Sequence, residues 1–364
     1  MLRFLGKSAL FLLLLMVVLE FVTRSFLPQQ LVIYDDFFGP NSNGLGRFPL
    51  PNLDMIVNTG ERDVRLITDY RGFRIGSSPR EVNPDKRILL LGDSYVMAIQ
   101  VAYEQSMGGV LESRFQDTGL DVVVDTVGSA TFDLNHYKIV TEQLIGSTQY
   151  DLVFVLLNHS NDLVESRIDF FDPIATRTRV LRFPRNLTSS ELVDAVLYPV
   201  NDWLERNSHL FILLKLQSQT VLARLGLTAY HFPWTFEVKN EFNSAWEISA
   251  QRMMEISEIG SEHGFPIVFI LVPTDQQVDP AWLNFYVTSF DLKLAEVDLH
   301  QPNSRLATLV GENVNLVDPL DRYLQAYTQG VRPYGEVDSH FSPEGHSLMA
   351  DVLFEVAGSY FEQK

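Results

Sequence analysis

Four short polar clusters hold the residues that could do chemistry. Gly92-Asp93-Ser94 lies in RILLLGDSYVMA (87 to 98), and Gly128 ends DVVVDTVG (121 to 128). His159-Ser160-Asn161-Asp162 follows DLVFVLLN (151 to 158), and DSHFSPEGH spans 338 to 346. A serine hydroxyl is a weak nucleophile by itself. It needs a general base within hydrogen-bond reach, a group that orients the base, and donors for a developing oxyanion. The clusters hold one candidate for each task. Histidine suits the base, because an ordinary pKa of ~6.5 lets it accept and return a proton near neutrality. Gly-Asp-Ser alone is weak, since such triplets also end strands and cap helices.

The surrounding elements must bring these clusters together. Arg87 to Leu91, 121 to 128, 151 to 158, 266 to 273 and 313 to 318 read as strands. Runs such as ILLL, VVV and LVFVLL lack alternation, as expected of strands covered on both faces. Helical stretches fall at 107 to 116, 137 to 145 and 245 to 263, and a closing helix runs from 343 to 361. Strand and helix in alternation indicate βαβ units, a parallel sheet and an α/β fold. In such sheets the ligand crevice lies at the carboxyl ends of the strands. Three of the four clusters fall there, and the fourth precedes the last helix.

Composition narrows the classes. Forty-six acidic against 28 basic residues give a formal net charge of −18, which argues against nucleic acid as a partner. There is no cysteine, so disulfides, thiolate zinc sites and cysteine nucleophiles are excluded. MLRFLGKSALFLLLLMVVLEFVTRSF opens the chain with an unbroken apolar run from Ala9 to Leu19. Counted from Leu2 to Val22, the segment has the ~20 residues a bilayer needs. No small-residue cleavage site follows, so an uncleaved anchor (residues 1 to 24) is expected rather than a removed signal. Arg3 and Lys7 would then lie in the cytoplasm and the rest outside it, in the periplasm or beyond. Residues 25 to 85, rich in Pro, Gly and Asn, read as extended, irregular lead-in. The catalytic unit would be 86 to 364, interrupted by a helical insertion at about 165 to 240 that could pack on the sheet domain, lie on the membrane or line a cleft.

These landmarks resemble the SGNH hydrolases, also called GDSL-type lipases and esterases, in order and approximate spacing over residues 87 to 355. The GFR lead-in, GDSY and DSHFSPEGH also look like a bacterial branch anchored by one N-terminal helix. The resemblance implies a three-layer α/β/α sandwich around a central parallel sheet, flavodoxin-like, with a membrane helix and a helical insertion. It implies Ser94 as nucleophile, His340 as base and Asp338 as the residue that orients the imidazole. It also implies an oxyanion hole made of the Ser94 and Gly128 backbone N–H groups and the Asn161 side chain. No cofactor or metal is implied. The substrates would be acylated small molecules, glycans or lipids.

The sequence departs from the family at three places. Asp338-Ser339-His340 is one residue shorter than the common Asp-x-x-His, a spacing similar to the alginate O-acetyltransferase branch. O-acetyl transfer to a polysaccharide therefore stands beside hydrolysis, and an inactive glycan-binding or scaffold module is a further alternative. His159 stands where glycine is common, and Thr126-Val127-Gly128-Ser129-Ala130-Thr131 keeps one glycine of its block.

Other polar residues have plainer readings. Asp93 caps or braces its turn, and Asp162 is structural. His136 and His159 are hydrogen-bonded structural histidines, while His346 is a reserve base. Ser342, Pro343 and Glu344 read as N-cap, N1 and first-turn acid of the closing helix. No HExxH or phosphate loop is present.

Overall fold

A computed structural model describes residues 2–32, 36–40, 47–79, 83–130, 132–145, 147–163, 191–224, 234–238, 243–290 and 293–362. Ten strands occur among them. β1 (Phe38–Pro40) and β2 (Arg47–Pro49) form a separate antiparallel pair. β3 (Asp54–Asn58), β4 (Asp63–Thr68), β5 (Arg74–Ile75), β6 (Lys86–Gly92) and β7 (Val122–Gly128) belong to the main sheet. So do β8 (Leu152–Leu157), β9 (Ile267–Leu271) and β10 (Asn315–Val317), giving eight strands in the order β10-β9-β8-β6-β7-β5-β4-β3.

The half from β10 to β7 is parallel, and β5, β4 and β3 extend it antiparallel. Alternate residues of each central strand face opposite layers. Leu89 and Leu91 of β6 pack with Tyr137, Trp246, Met253 and Leu306, which come from the helices Leu134–Ile145, Asn243–His263 and Gln301–Val310. Ile88 and Leu90 pack on the other face with Leu111, Tyr323 and Leu353, from Met107–Asp117, Leu320–Thr328 and Pro343–Phe361. The result is a three-layer α/β/α sandwich on a mixed sheet. All five apolar runs read as strands are strands, and the closing helix spans Pro343–Phe361 as expected.

The lead-in departs from the expected irregular chain. Residues 47 to 75 supply β2 to β5, and β5 pairs with β7. These strands escape a search for apolar runs because they are half-exposed: β4 alternates exposed Asp63 and Arg65 with buried Val64 and Leu66. The β3–β4 turn uses Gly60 at φ +83°, where a Cβ would stand 2.9 Å from both Gln30 N and Val337 Cγ1. That turn thus packs between the start of the lead-in and the loop before Asp338.

The first helix, Leu2–Phe26, contains a 21-residue stretch, Gly6–Phe26, long and apolar enough to cross a membrane. Glu20 of this helix caps a second helix. Its carboxylate accepts from Ser208 Oγ at 2.7 Å, His209 N at 3.1 Å and Leu210 N at 2.9 Å. Carboxylates are favoured there by the unsatisfied amides and dipole of a helix start. The capped helix, His209–Arg224, and its predecessor Glu191–Asn207, joined by a buried Lys215–Glu205 ion pair, form most of the described part of the insertion, with a short turn at Trp234–Phe236. The rest of the insertion before residue 191 lies outside the described residues.

Candidate active site

β6 is buried from Ile88 onward and ends at Gly92, where the chain turns into a four-residue helix, Ser94–Met97. Asp93 is its N-cap: Oδ1 accepts from Tyr95 N at 2.9 Å. Oδ2 accepts from Asn158 Nδ2 at 3.1 Å and Asn161 Nδ2 at 3.3 Å. The residue before Ser94 is therefore tied to the chain that leaves β8. Burial pushes the Asp93 carboxyl above the usual range, against the pull of the Tyr95 amide. The expected bracing role of Asp93 is the observed one.

Ser94 and the loop of the fourth cluster meet at the sheet's carboxyl edge. His340 Nε2 lies 2.7 Å from Ser94 Oγ, and His340 Nδ1 lies 2.5 Å from Asp338 Oδ1. The one-residue spacer leaves room for both contacts, because the His340 amide also donates to Asp338 Oδ1 at 3.3 Å. The imidazole faces Tyr95, with ring centroids 4.9 Å apart, and Tyr95 OH donates to Ser339 O at 3.3 Å. Ser94 and His340 are partly exposed while Asp338 is buried, so the hydroxyl is open to a ligand and the carboxylate is shielded.

Asn161 is brought to the same edge and offers Nδ2 toward Asp93; its Oδ1 is buried with no partner among the described residues. Gly128 is placed beside the turn. A Cβ there would strike Met97 N and come within 2.7 Å of Asp93 O, so glycine is required by close packing on the Ser94 turn. Ser129 N donates to Gly92 O at 3.4 Å. Glycine at 128 thus has a packing reason in addition to the backbone donor role that the resemblance implies.

His346 is corrected as a reserve base. It is buried in the last helix, with neither ring nitrogen partnered among the described residues. Burial, with Arg74 nearby, pushes its pKa down to about 3. His159 is buried against Phe236, with Thr235 Oγ1 and Gln277 Oε1 each 3.3 Å from its ring nitrogens. His136 contacts Asp133 at 2.6 Å. Asp162 is buried, accepting from Tyr137 OH at 2.7 Å and Asn158 N at 2.8 Å, and burial raises its pKa well above the usual range. Ser342 caps the last helix through Gly345 N, with Pro343 at its start.

Sequence reasoning missed three groups around the site. Arg74, of the GFR segment, is fully buried and donates to the carbonyls of Met97, Ala98 and Val101, fixing the loop that follows Ser94. It has no carboxylate partner among the described residues, and burial pushes its pKa down to about 10. Asp275 follows β9, and burial raises its carboxyl to about 7, with His340 pulling the other way. Gln30 and Gln100 both donate to Asp338. Only Arg74 left a trace in sequence, as part of a short motif whose role was not readable.

Geometry of this kind can take the proton of a serine hydroxyl and stabilise the imidazolium that results. No group of three or more potential metal ligands occurs among the described residues.

No protein-family model matches the sequence, and no curated protein matches it. Solved structures that resemble the chain include a lipolytic G-D-S-L family protein and acetylxylan esterases. A member of the lipolytic protein G-D-S-L family from Veillonella parvula has TM-score 0.38 and 12% identity, covering 74% of this chain and 97% of its own. An acetyl xylan esterase has TM-score 0.41 and 10% identity, over 74% of this chain and 98% of its own. A catalytic mutant of an acetylxylan esterase from Geobacillus stearothermophilus has TM-score 0.38 and 10% identity, over 75% and 94%. The functional reading rests on the site geometry and not on these likenesses.

Proposed function

We propose that this chain is a membrane-anchored SGNH-type serine esterase that works through an acyl-enzyme on Ser94. The observation that carries the reading is the continuous contact from Ser94 Oγ to His340 Nε2 and from His340 Nδ1 to Asp338 Oδ1, at 2.7 and 2.5 Å. His340 takes the hydroxyl proton as Ser94 Oγ adds to the ester carbonyl. Asp338 holds the imidazole with Nδ1–H toward itself, so that Nε2 is the basic nitrogen. The Ser94 N–H, the Gly128 N–H and the second N–H of Asn161 Nδ2 are the proposed oxyanion donors. His340 then returns its proton to the departing alcohol oxygen. Water, deprotonated by His340, adds to the acyl carbon, and the acid leaves as the proton goes back to Ser94.

The helix Leu2–Phe26 would hold the domain at a membrane, with Arg3 and Lys7 on the cytoplasmic side and the site outside. The unit that carries the site would begin within the lead-in, since β3 to β5 complete its sheet. Esters on glycans or lipids are the substrate classes proposed.

Incubating the full chain in detergent with an aryl acetate, alone and with an oligosaccharide acceptor, tests the reading. Acetate release by wild type, absent in Ser94→Ala, supports an esterase. Release that gives way to acetylated oligosaccharide assigns acyl transfer instead. Equal turnover in both proteins contradicts the proposal.

A further inference from the structure

Asp338 has two carboxylate oxygens with different duties. Oδ1 faces His340. Oδ2 accepts two carboxamide hydrogen bonds, from Gln100 Nε2 at 2.8 Å and from Gln30 Nε2 at 2.9 Å. Gln100 is buried and stands in the loop that Arg74 fixes after Ser94. Gln30 comes from the other end of the chain's logic: it lies four residues beyond the helix Leu2–Phe26. Its neighbour Gln29 donates its backbone N–H to His209 Nδ1 at 2.7 Å, and Leu31 N donates to Asn58 O at 3.1 Å. The residues on either side of Gln30 are therefore anchored separately.

The loop before Asp338 is held from the same side. Glu61, in the β3–β4 turn, accepts from Glu336 N at 2.7 Å and Val337 N at 2.9 Å. Behind the carboxylate lies a narrow crevice lined by Thr59, Glu61, Arg62, Gln100, Asp338 and His340. Water entering there could reach Asp338 if the carboxamides did not occupy its outer oxygen.

We propose that Gln30 and Gln100 are positioning residues that fix Asp338 for His340, which makes the chain leaving the membrane helix a working part of the site. The inference rests on the proposed triad. Two directed donors on Oδ2 stop the carboxylate from rotating and leave Oδ1 for the imidazole. They also place the positive ends of two amide dipoles toward the His340 side. Removing them should favour the imidazolium, so the group would titrate at higher pH. Other titratable or charged groups near the pair are Asp93, Asp275, Tyr95, His346, Arg74, Glu61 and Arg62, and all stay unchanged in the test.

The test uses full-length Gln30→Met and Gln100→Met, which keep side-chain length and remove the donors. The readouts are kcat and KM for an aryl acetate across pH, and the titration of His340 by imidazole nitrogen NMR. The inference expects kcat to fall about tenfold in each variant with KM little changed. It also expects the acid limb and the His340 titration to move up by about half a pH unit. Wild-type kcat and an unmoved titration in both variants would overturn it. A purely structural role would lower the active fraction and leave the titration in place, which also overturns it. If wild type turns over no ester, the proposed function fails separately, and the NMR titration still decides this inference.

Discussion

His340 Nε2 stands 2.7 Å from Ser94 Oγ although the residues are 246 positions apart in the chain. The parallel order β8-β6-β7 brings the β6 turn to one edge of the sheet, and the loop before the last helix returns to the same edge. The contact is thus a property of the whole sandwich, and elements far from the hydroxyl should control it.

Arg74 gives the sharpest case. Arg74→Met would leave the carbonyls of Met97, Ala98 and Val101 buried without this donor. Each unsatisfied acceptor costs ~1–3 kcal/mol. Ala98 O still accepts from the Val101 amide, so with two acceptors bared denaturant unfolding should show a loss of at least about 2 kcal/mol, accompanied by weak ester turnover. Arg74→Lys should recover only part, because one ammonium cannot span three carbonyls in a fixed fork. Wild-type stability in Arg74→Met would refute this role.

At Gly128, Gly128→Ala puts a methyl group against backbone atoms of Met97, Asp93 and Val96, none of which can rotate away. Overpacking of this kind costs ~1–3 kcal/mol. Thermal unfolding should fall accordingly, and kcat should drop because the displaced atoms belong to the Ser94 turn. A variant as stable and active as wild type would show that the turn has slack.

Asn161→Ala separates binding from chemistry. Loss of an oxyanion donor lowers kcat by ~10²–10³-fold with little change in KM. The same substitution also removes one donor from Asp93, so the variant's folding should be checked by circular dichroism. A changed KM with kcat intact would assign Asn161 to substrate binding instead.

Asp275 makes stability depend on pH in the unusual direction. Its carboxyl titrates at about 7 when folded, against 3.8 ordinarily. Below the lower value both states are protonated; between the two, the folded chain holds a proton that the unfolded chain has released. Stability therefore falls as pH rises through that window, by about 4 kcal/mol in full. Asp275→Asn should remove this loss, gaining about 3 kcal/mol over wild type between about pH 5 and about pH 8. Parallel stability curves for the two proteins would contradict the assignment.

What could be read in the sequence follows from how each part is built. β6, β7, β8 and β9 are buried on both faces, so their apolar runs stand out and the clusters after them are easy to find. Ser342-Pro343-Glu344 signals a helix start by local chemistry alone. β3 to β5 hide because each buries one face only. Gln30 is 308 residues from Asp338 and Arg74 is 23 to 27 residues from its carbonyls, and neither contact has a local pattern. The packing reason for glycine at 128, the turn seated above it, exists only once β7 lies beside β6.

The central claim is that Ser94 is a nucleophile activated by His340. The most direct measurement treats wild type, Ser94→Ala and His340→Ala with a serine-reactive fluorophosphonate and maps the adduct by mass spectrometry. The account expects one adduct, on Ser94, in wild type, none in Ser94→Ala, and labelling slowed by on the order of 10³-fold or more in His340→Ala. Labelling that persists in Ser94→Ala, or proceeds at the wild-type rate in His340→Ala, would contradict it.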